Sequence, residues 1–341
     1  MELQKKDKPG MNSKDPNNSM NSLRDKRILV TGATGFVGQN LVPLFKQAGA
    51  KLILPSHKDY NLLEQMQVRH LLKETQPDIV FHLAGLIGGI LANKEKPADI
   101  CYQNMLMGTM MLHESWQAGV AKYITLIGGC SYPASAPSPI KESELWNGYP
   151  QVESAPYSLG KSMSVLLAQA YRKQYGFNAI VLVPGNLYGP YDNFDLHNSH
   201  VIPALIRKFV EAQQSGLAEI VAWGSGKPIR DFIYIEDACR CIMLAAQKYN
   251  DSEIVNISSG TSTSIRELVE TVAELTGYQG KIVWDTTKPD GQGIKVFDTT
   301  RMREQLGFHC RTSLRKGLQN TIHWYRENYA NARREVESGC G

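Results

Sequence analysis

Two side chains four residues apart, Tyr157 and Lys161, carry the clearest chemistry in the sequence. In the run Tyr157-Ser158-Leu159-Gly160-Lys161, that spacing puts a phenol and an ammonium on one face of a helix. A neighbouring cation draws a tyrosine pKa down from ~10 toward neutrality, which makes the phenol a usable general acid or base. The pattern is common by chance, and a second feature upstream gives it weight. There the apolar run Arg27–Thr31 enters Gly32-Ala33-Thr34-Gly35-Phe36-Val37-Gly38 and then a helical pattern. Glycines so placed permit a tight turn, let backbone approach a pyrophosphate, and deliver it to free N–H groups at a helix N-terminus.

Such a turn implies a nicotinamide dinucleotide, and the second strand bears on which one. An NAD site commonly places a carboxylate about 20 residues on, at the end of that strand, for the ribose 2′-hydroxyl. Here the strand ends in Pro55-Ser56-His57-Lys58, with no carboxylate until Asp59. Hydroxyl, imidazole and ammonium donors suit a 2′-phosphate, so the expected cofactor is NADP(H). Further on, His82-Leu83-Ala84-Gly85 closes another strand with small residues that can lie against the cofactor.

Positioning these groups requires a parallel sheet. Strand-like runs fall at Arg27–Thr31, Lys51–Leu54, Asp78–Leu83, Tyr123–Ile127, Ala179–Val183 and Ile254–Ile257. Helical patterns at Val37–Gln47, Leu62–Glu74, Ile100–Gln117 and Tyr157–Tyr175 separate the first five. Alternation of this kind predicts an α/β fold, a doubly wound parallel sheet of the Rossmann type. After Pro184 the rhythm breaks. Helices near Val201–Gln214, Glu236–Gln247, Ser264–Leu275 and Leu314–Glu327, with strands near Glu219–Ala222 and Asp231–Tyr234, predict a smaller α/β cap. The expected division is residues 27–185 for the dinucleotide domain, completed by parts of 231–257, with 186–230 and 258–328 as cap. Residues 1–26 are polar and aperiodic and read as a disordered leader; residues 329–341 read as a flexible tail.

The 341 residues, 42% hydrophobic and 21% charged, describe an ordinary globular chain. A net charge of +4 is too mild to imply nucleic acid or a polybasic membrane partner, and no run of ~18 apolar residues predicts a spanning helix. Six cysteines without a CxxC pair or zinc-spaced histidines predict reduced thiols in a cytoplasmic protein, and no metal.

Together these features resemble the extended short-chain dehydrogenase/reductases of the NAD-dependent epimerase/dehydratase family. Within it the chain is most similar to the branch that makes GDP-L-fucose. The specific stretches are Cys130-Ser131-Tyr132-Pro133, Asn186 to Phe194, Asn198 to Ala204, Trp223-Gly224-Ser225-Gly226, Arg230-Asp231-Phe232 and Lys288-Pro289-Asp290-Gly291. The resemblance implies NADPH-dependent 3,5-epimerisation and 4-keto reduction of a GDP-4-keto-6-deoxy-sugar by a homodimer. It assigns Tyr157 as the acid for reduction, with Lys161 beside it, and Cys130 and His200 as the epimerisation pair. Thiol and imidazole have pKa values within reach of neutrality, as proton transfer at carbon requires. On the cofactor side it adds Asn61, Leu62, Pro184, Asn186, Leu187 and His200 to the turn and to Ser56, His57, Leu83, Ala84 and Gly85. On the substrate side it implies Asn186, Val201, Lys208, Trp223, Arg230 and Lys295, although a tryptophan before Gly-Ser-Gly could equally be a packing residue. The dimer would pair the helices near Ile100–Gln117 and Tyr157–Tyr175, with Met105, Met107, Met110 and Met111 as fillers.

One departure stands out. Gly128 and Gly129 occupy positions where the family carries hydroxyl residues, the first of which hydrogen-bonds the C4 oxygen. Three readings follow: Ser131 or a water supplies the donor, the enzyme is tuned to another keto-sugar, or epimerisation survives without reduction. A 4-epimerase or another 4-reductase is the alternative within the fold, and a non-catalytic NADP(H)-binding partner the alternative outside catalysis.

Overall fold

The computed structural model describes residues 23–87, 90–196, 199–288, 290–330 and 332. Its first half alternates strand and helix: β1 (Arg27–Thr31), α1 (Phe36–Gln47), β2 (Lys51–Ile53), α2 (Gln65–Thr75), β3 (Ile79–His82), α3 (Ile90–Glu95), α4 (Pro97–Gln117), β4 (Lys122–Leu126), α5 (Ala155–Tyr175) and β5 (Ala179–Pro184). The second half runs β6 (Asn186–Tyr188), α6 (Val201–Ser215), β7 (Glu219–Trp223), β8 (Ile229–Arg230), β9 (Phe232–Tyr234), α7 (Ile235–Lys248), β10 (Val255–Ile257), β11 (Thr263–Ser264), α8 (Ile265–Thr276), β12 (Lys281–Asp285), β13 (Ile294–Lys295), α9 (Thr300–Leu306) and α10 (Leu314–Glu327).

Six strands form one sheet in the order β2-β1-β3-β4-β5-β10, every pairing parallel. Both faces are covered, and the two-residue period of each strand divides its side chains between two cores. Ile28, Val30 and Phe81 join the core under α1 and α7, with Leu41, Phe45 and Ile242. Leu29, Val80 and Tyr123 join the core under α2, α4 and α5, with Leu71, Met111 and Val165. The strand order reverses beside β1, whose neighbours are β2 and β3, and the crevice beyond their carboxyl ends is where such sheets take ligands.

Glycine sets the fit of α4 against α5. A Cβ on Gly160 would lie 2.9 Å from the Cys101 carbonyl oxygen, and one on Gly108 would lie 2.8 Å from Ser164 Oγ. Gly160, inside the Tyr157–Lys161 spacing, thus lets α5 seat closely against α4. Met110 and Met111 are buried in this region, whereas Met105 is exposed.

The later chain builds the cap from short pairings: β7 beside β12, β8 between β11 and β13, and β6 beside β9. β10 returns to the large sheet, and Asn256 locks that return. Its side chain accepts from the Tyr132 hydroxyl at 2.6 Å and donates to the carbonyls of Ile140 and Asp298, each at 3.0 Å. Asn256→Leu strands those three groups in the interior, and urea denaturation will read a loss of about 2–4 kcal/mol. A loss under about 0.5 kcal/mol would mean that the groups find other partners.

Both ends depart from expectation. The leader was expected to reach residue 26, yet Leu23 is 2% exposed and the Asp25 N–H donates to the Gly49 carbonyl. One apolar side chain at the foot of β1 suffices to dock the chain there; residues 1–22 lie outside the described residues. The expected tail from residue 329 likewise begins as structure. The Tyr329 hydroxyl donates to Glu211 at 2.8 Å and Ala332 is buried, while 331 and 333–341 lie outside the described residues.

Candidate active site

The glycine-rich turn sits at the crevice that the strand order predicts. Gly32 has φ +70°, and a Cβ there would lie 2.7 Å from Ala84 N and 2.9 Å from the Leu83 carbonyl carbon, so the turn presses directly on the segment after β3. A Cβ on Gly38 would lie 2.3 Å from Gly32 O. Gly35, in extended conformation, precedes α1, whose first turn (Phe36, Val37, Gly38) contains no acidic residue. Thr34 stands in the turn with its carbonyl accepting from Gln39. The first-turn N–H groups therefore face the crevice with the positive end of the helix dipole and no competing carboxylate, a cradle that fits a pyrophosphate.

After β2, Ser56, His57 and Lys58 are exposed at the same edge. Asp59 folds back, and the Ser56 hydroxyl donates to it at 2.7 Å. Asn61 is drawn into a local turn, its Oδ1 accepting from the Leu63 N–H, and Leu62 packs against the core beneath. Pro184 closes β5, and Asn186 and Leu187 follow in half-buried β6.

The catalytic candidates converge at the end of β4. Gly128 is the hinge: a Cβ there would lie 3.0 Å from Cys130 Sγ, 3.3 Å from Tyr157 Cε1 and 3.8 Å from the Tyr157 hydroxyl. The thiol and the phenol ring crowd the space that a side chain would need. Gly129 is equally committed, since a Cβ there would meet Phe297 Cζ at 2.5 Å. Ser131 is not the substitute donor, because its hydroxyl points to the Ser158 carbonyl at 3.4 Å. In return Ser158 Oγ donates to the Cys130 carbonyl at 3.0 Å. This clamp fixes the thiol relative to Tyr157; sequence reading missed Ser158, whose only signal was its place beside the tyrosine.

Electrostatics corrects one expectation. Burial pushes the Tyr157 phenol well above its ordinary pKa, and the nearby Cys130 sulfur adds to the rise. The phenol is therefore protonated, the form a general acid needs. Lys161 is 5% exposed, and burial lowers its ammonium to about 8. A Cβ on Gly85 would lie 3.5 Å from Lys161 Nζ, which brings the ammonium against the small-residue segment expected to meet the cofactor. Asn104 orders that segment, exchanging hydrogen bonds with the backbone of Leu86. Behind it, His82 Nδ1 pairs with the Thr31 hydroxyl at 2.9 Å, and burial with the Lys161 charge lowers its pKa to about 3.

His200 forms the N-cap residue of α6, and desolvation lowers its pKa. Among the described residues no hydrogen bond joins it to Cys130 or Tyr157.

The other expected substrate residues line the cap. Val201 opens α6, and Lys208 two turns along donates to the Val221 carbonyl. Asn186 Nδ2 donates to the Asp231 carbonyl at 2.7 Å, beside half-buried Arg230. Burial lowers the pKa of Arg230, Lys208 and Lys295 alike. Trp223 is 70% exposed, with Lys288 Nζ 5.5 Å from its ring centre, so it offers a stacking face rather than filling the core. Asp290 was not singled out as a site residue, yet its carboxylate accepts from Ser225 N at 2.6 Å and Ser225 Oγ at 2.7 Å. It ties the turn after Trp223 to the loop before β13. Asp290→Ala should raise the KM for a nucleotide-sugar about tenfold with kcat little changed, as steady-state kinetics will measure; an unchanged KM would place that turn outside the binding surface.

Among the described residues, no cluster of three His, Cys, Asp or Glu could hold a metal, and no helix is long and apolar enough to cross a membrane.

A model of the NAD dependent epimerase/dehydratase family matches residues 28–258. GDP-L-fucose synthase 1 of Arabidopsis thaliana is 39% identical over 315 residues, covering 92% of this chain and 97% of the relative. GDP-L-fucose synthase of Escherichia coli is 37% identical over 313 residues, covering 89% and 97%. The structure of a GDP-L-fucose synthetase from Naegleria fowleri bound to NADP superimposes with a TM-score of 0.83 at 28% identity, covering 91% of this chain and 97% of that one.

Proposed function

The chain belongs to the NAD dependent epimerase/dehydratase family, and we propose that it 3,5-epimerises and 4-reduces a GDP-4-keto-6-deoxy-sugar at the expense of NADPH. The observation that carries this reading is the meeting of thiol, phenol and ammonium beside the glycine-rich turn. The turn from Gly32 to Gly38 would hold the pyrophosphate, with Ser56, His57 and Lys58 at the 2′-phosphate and Ala84, Gly85 and Lys161 at the nicotinamide ribose. Bound there, NADPH supplies the hydride that reduces C4.

The chain's own groups handle the protons. The ketone at C4 acidifies the hydrogens on C3 and C5, and Cys130 and His200 remove and return them from opposite faces. Tyr157 then gives its proton to the C4 oxygen as charge develops there, in a site where burial keeps the phenol protonated until it is used. Lys161 holds positive charge beside that oxygen. Arg230 and the N-terminus of α6 at Val201 receive the diphosphate, whose oxygens match the planar guanidinium fork. Trp223, Lys208 and Asn186 position the remainder of the sugar nucleotide.

Incubation with GDP-4-keto-6-deoxymannose and NADPH in deuterated buffer tests the reading. Falling absorbance at 340 nm together with deuterium at C3 and C5 is the expected result. Exchange without oxidation would leave an epimerase, oxidation without exchange a 4-reductase, and neither would leave a non-catalytic NADP(H)-binding protein. The exposed Tyr102 and Met105 of α4 and Leu159 and Leu166 of α5 support a homodimer joined through these helices, which sedimentation at micromolar concentration will reveal. The five described cysteines are all free thiols, consistent with a cytoplasmic location.

A further inference from the structure

We propose that Asp231 is a positioning residue for epimerisation, holding the strand that carries Arg230 in register with the turn that carries Cys130. The inference rests on reading Arg230 as the diphosphate clamp and Cys130 as an epimerisation acid/base.

Asp231 lies between β8 and β9 and is fully buried. A carboxyl in that position must find its hydrogen bonds inside the protein, and both oxygens do. Oδ1 accepts from the Ser259 hydroxyl at 2.5 Å. Oδ2 accepts from the Gly260 N–H at 3.1 Å and from the Phe297 N–H at 3.3 Å. The backbone of the same residue is committed too. Its N–H donates to the Lys295 carbonyl at 3.1 Å, and its carbonyl accepts from Asn186 Nδ2 at 2.7 Å. One residue therefore joins β6, β13 with its continuation, and the turn between β10 and β11.

Phe297 carries this order to the chemistry. β13 runs beside β8 with Lys295 opposite Arg230, so the strand that bears the clamp leads directly to the Phe297 segment. On its other side Phe297 bridges to Ile140. A Cβ on Gly129 would lie 2.5 Å from Phe297 Cζ, and one on Gly185 would lie 3.3 Å from Phe297 Cδ2. The ring is thus wedged between the turn of Cys130 and the end of β5. Packing that close leaves no slack, so a shift of the Phe297 backbone reaches the turn. Holding GDP asks only for the binding wall, whereas proton transfer at C3 and C5 asks for wall and turn together. Misplacement by about 1 Å can cost about 10²-fold in rate.

Asp231→Ala strands the Ser259, Gly260 and Phe297 donors. Its kcat for deuterium exchange at C3 and C5 should fall about tenfold or more, while calorimetry finds GDP and NADPH binding within about threefold of wild type. Asp231→Asn should recover exchange to within about threefold. Its amide oxygen can accept from both backbone N–H groups, and its amide nitrogen can donate to Ser259 Oγ, whose own proton turns to Thr261 Oγ1 at 2.6 Å. Exchange at the wild-type rate in Asp231→Ala overturns the proposal, and so does failure of Asp231→Asn to recover it. A matching loss of GDP or NADPH binding in Asp231→Ala also overturns it, because Asp231 would then support the fold alone. If Asp231→Ala does not fold, Ser259→Ala decides: exchange should fall about threefold with GDP binding unchanged, and undiminished exchange overturns the proposal. Absence of exchange in the wild type would instead overturn the acid/base reading, and this inference with it.

Discussion

Tyr157→Phe will reduce NADPH oxidation by about 10²–10⁴-fold while deuterium exchange at C3 and C5 persists within a few-fold of wild type. The substitution removes one oxygen and keeps the ring that packs 3.3 Å from the Gly128 Cβ position, so the cleft retains its shape. What is lost is the proton for an alkoxide forming where water is excluded, a loss worth about 3–5 kcal/mol of barrier. A hydroxyl at residue 128 would soften that loss, and Gly128 provides none. Oxidation continuing at the wild-type rate would assign the proton to another donor. The pH profile carries the second half of this prediction. Burial lowers Lys161 to about 8, so the ammonium beside the oxygen is present below that pH and lost above it. Reduction should accordingly decline as pH rises through about 8, and Lys161→Arg should remove that limb because a guanidinium stays protonated.

Much of this was legible locally. The β1 run and the glycine turn announce a dinucleotide crevice because both signals lie within a dozen residues, and Lys161 falls on the face of Tyr157 through helical period alone. Non-local pairings escaped. The cap strand β12 was not foreseen because its partner β7 lies some 60 residues away, and Asp290 acts on Ser225 across 65 residues. Gly129 shows the same limit from the other side. In sequence it reads as a missing hydroxyl; in the fold the Phe297 ring leaves no room for any side chain. The phenol's pKa was misjudged for a related reason, since spacing reveals the cation at i+4 but not the burial that outweighs it.

Cys130→Ala is the complementary prediction: exchange at the carbons flanking the ketone should fall by about 10²–10⁴-fold. Overall turnover of GDP-4-keto-6-deoxymannose should fall with it, because reduction then waits on the unassisted epimer. Single-turnover reduction of a substrate already carrying the epimerised configuration isolates the later step, and there the variant should retain most of its rate. The separation is physical. Alanine leaves the Ser158 hydroxyl bond to the residue 130 carbonyl intact, so the turn stays clamped to α5 and Tyr157 keeps its place. Burial, the main cause of the phenol's raised pKa, is untouched when the sulfur is removed, so Tyr157 stays a protonated donor. Parallel collapse of exchange and single-turnover reduction would mean that thiol and phenol work as one coupled unit. Loss of exchange alone would establish that one crowded cleft holds two proton donors with separate tasks, kept within reach of each other by a residue with no side chain.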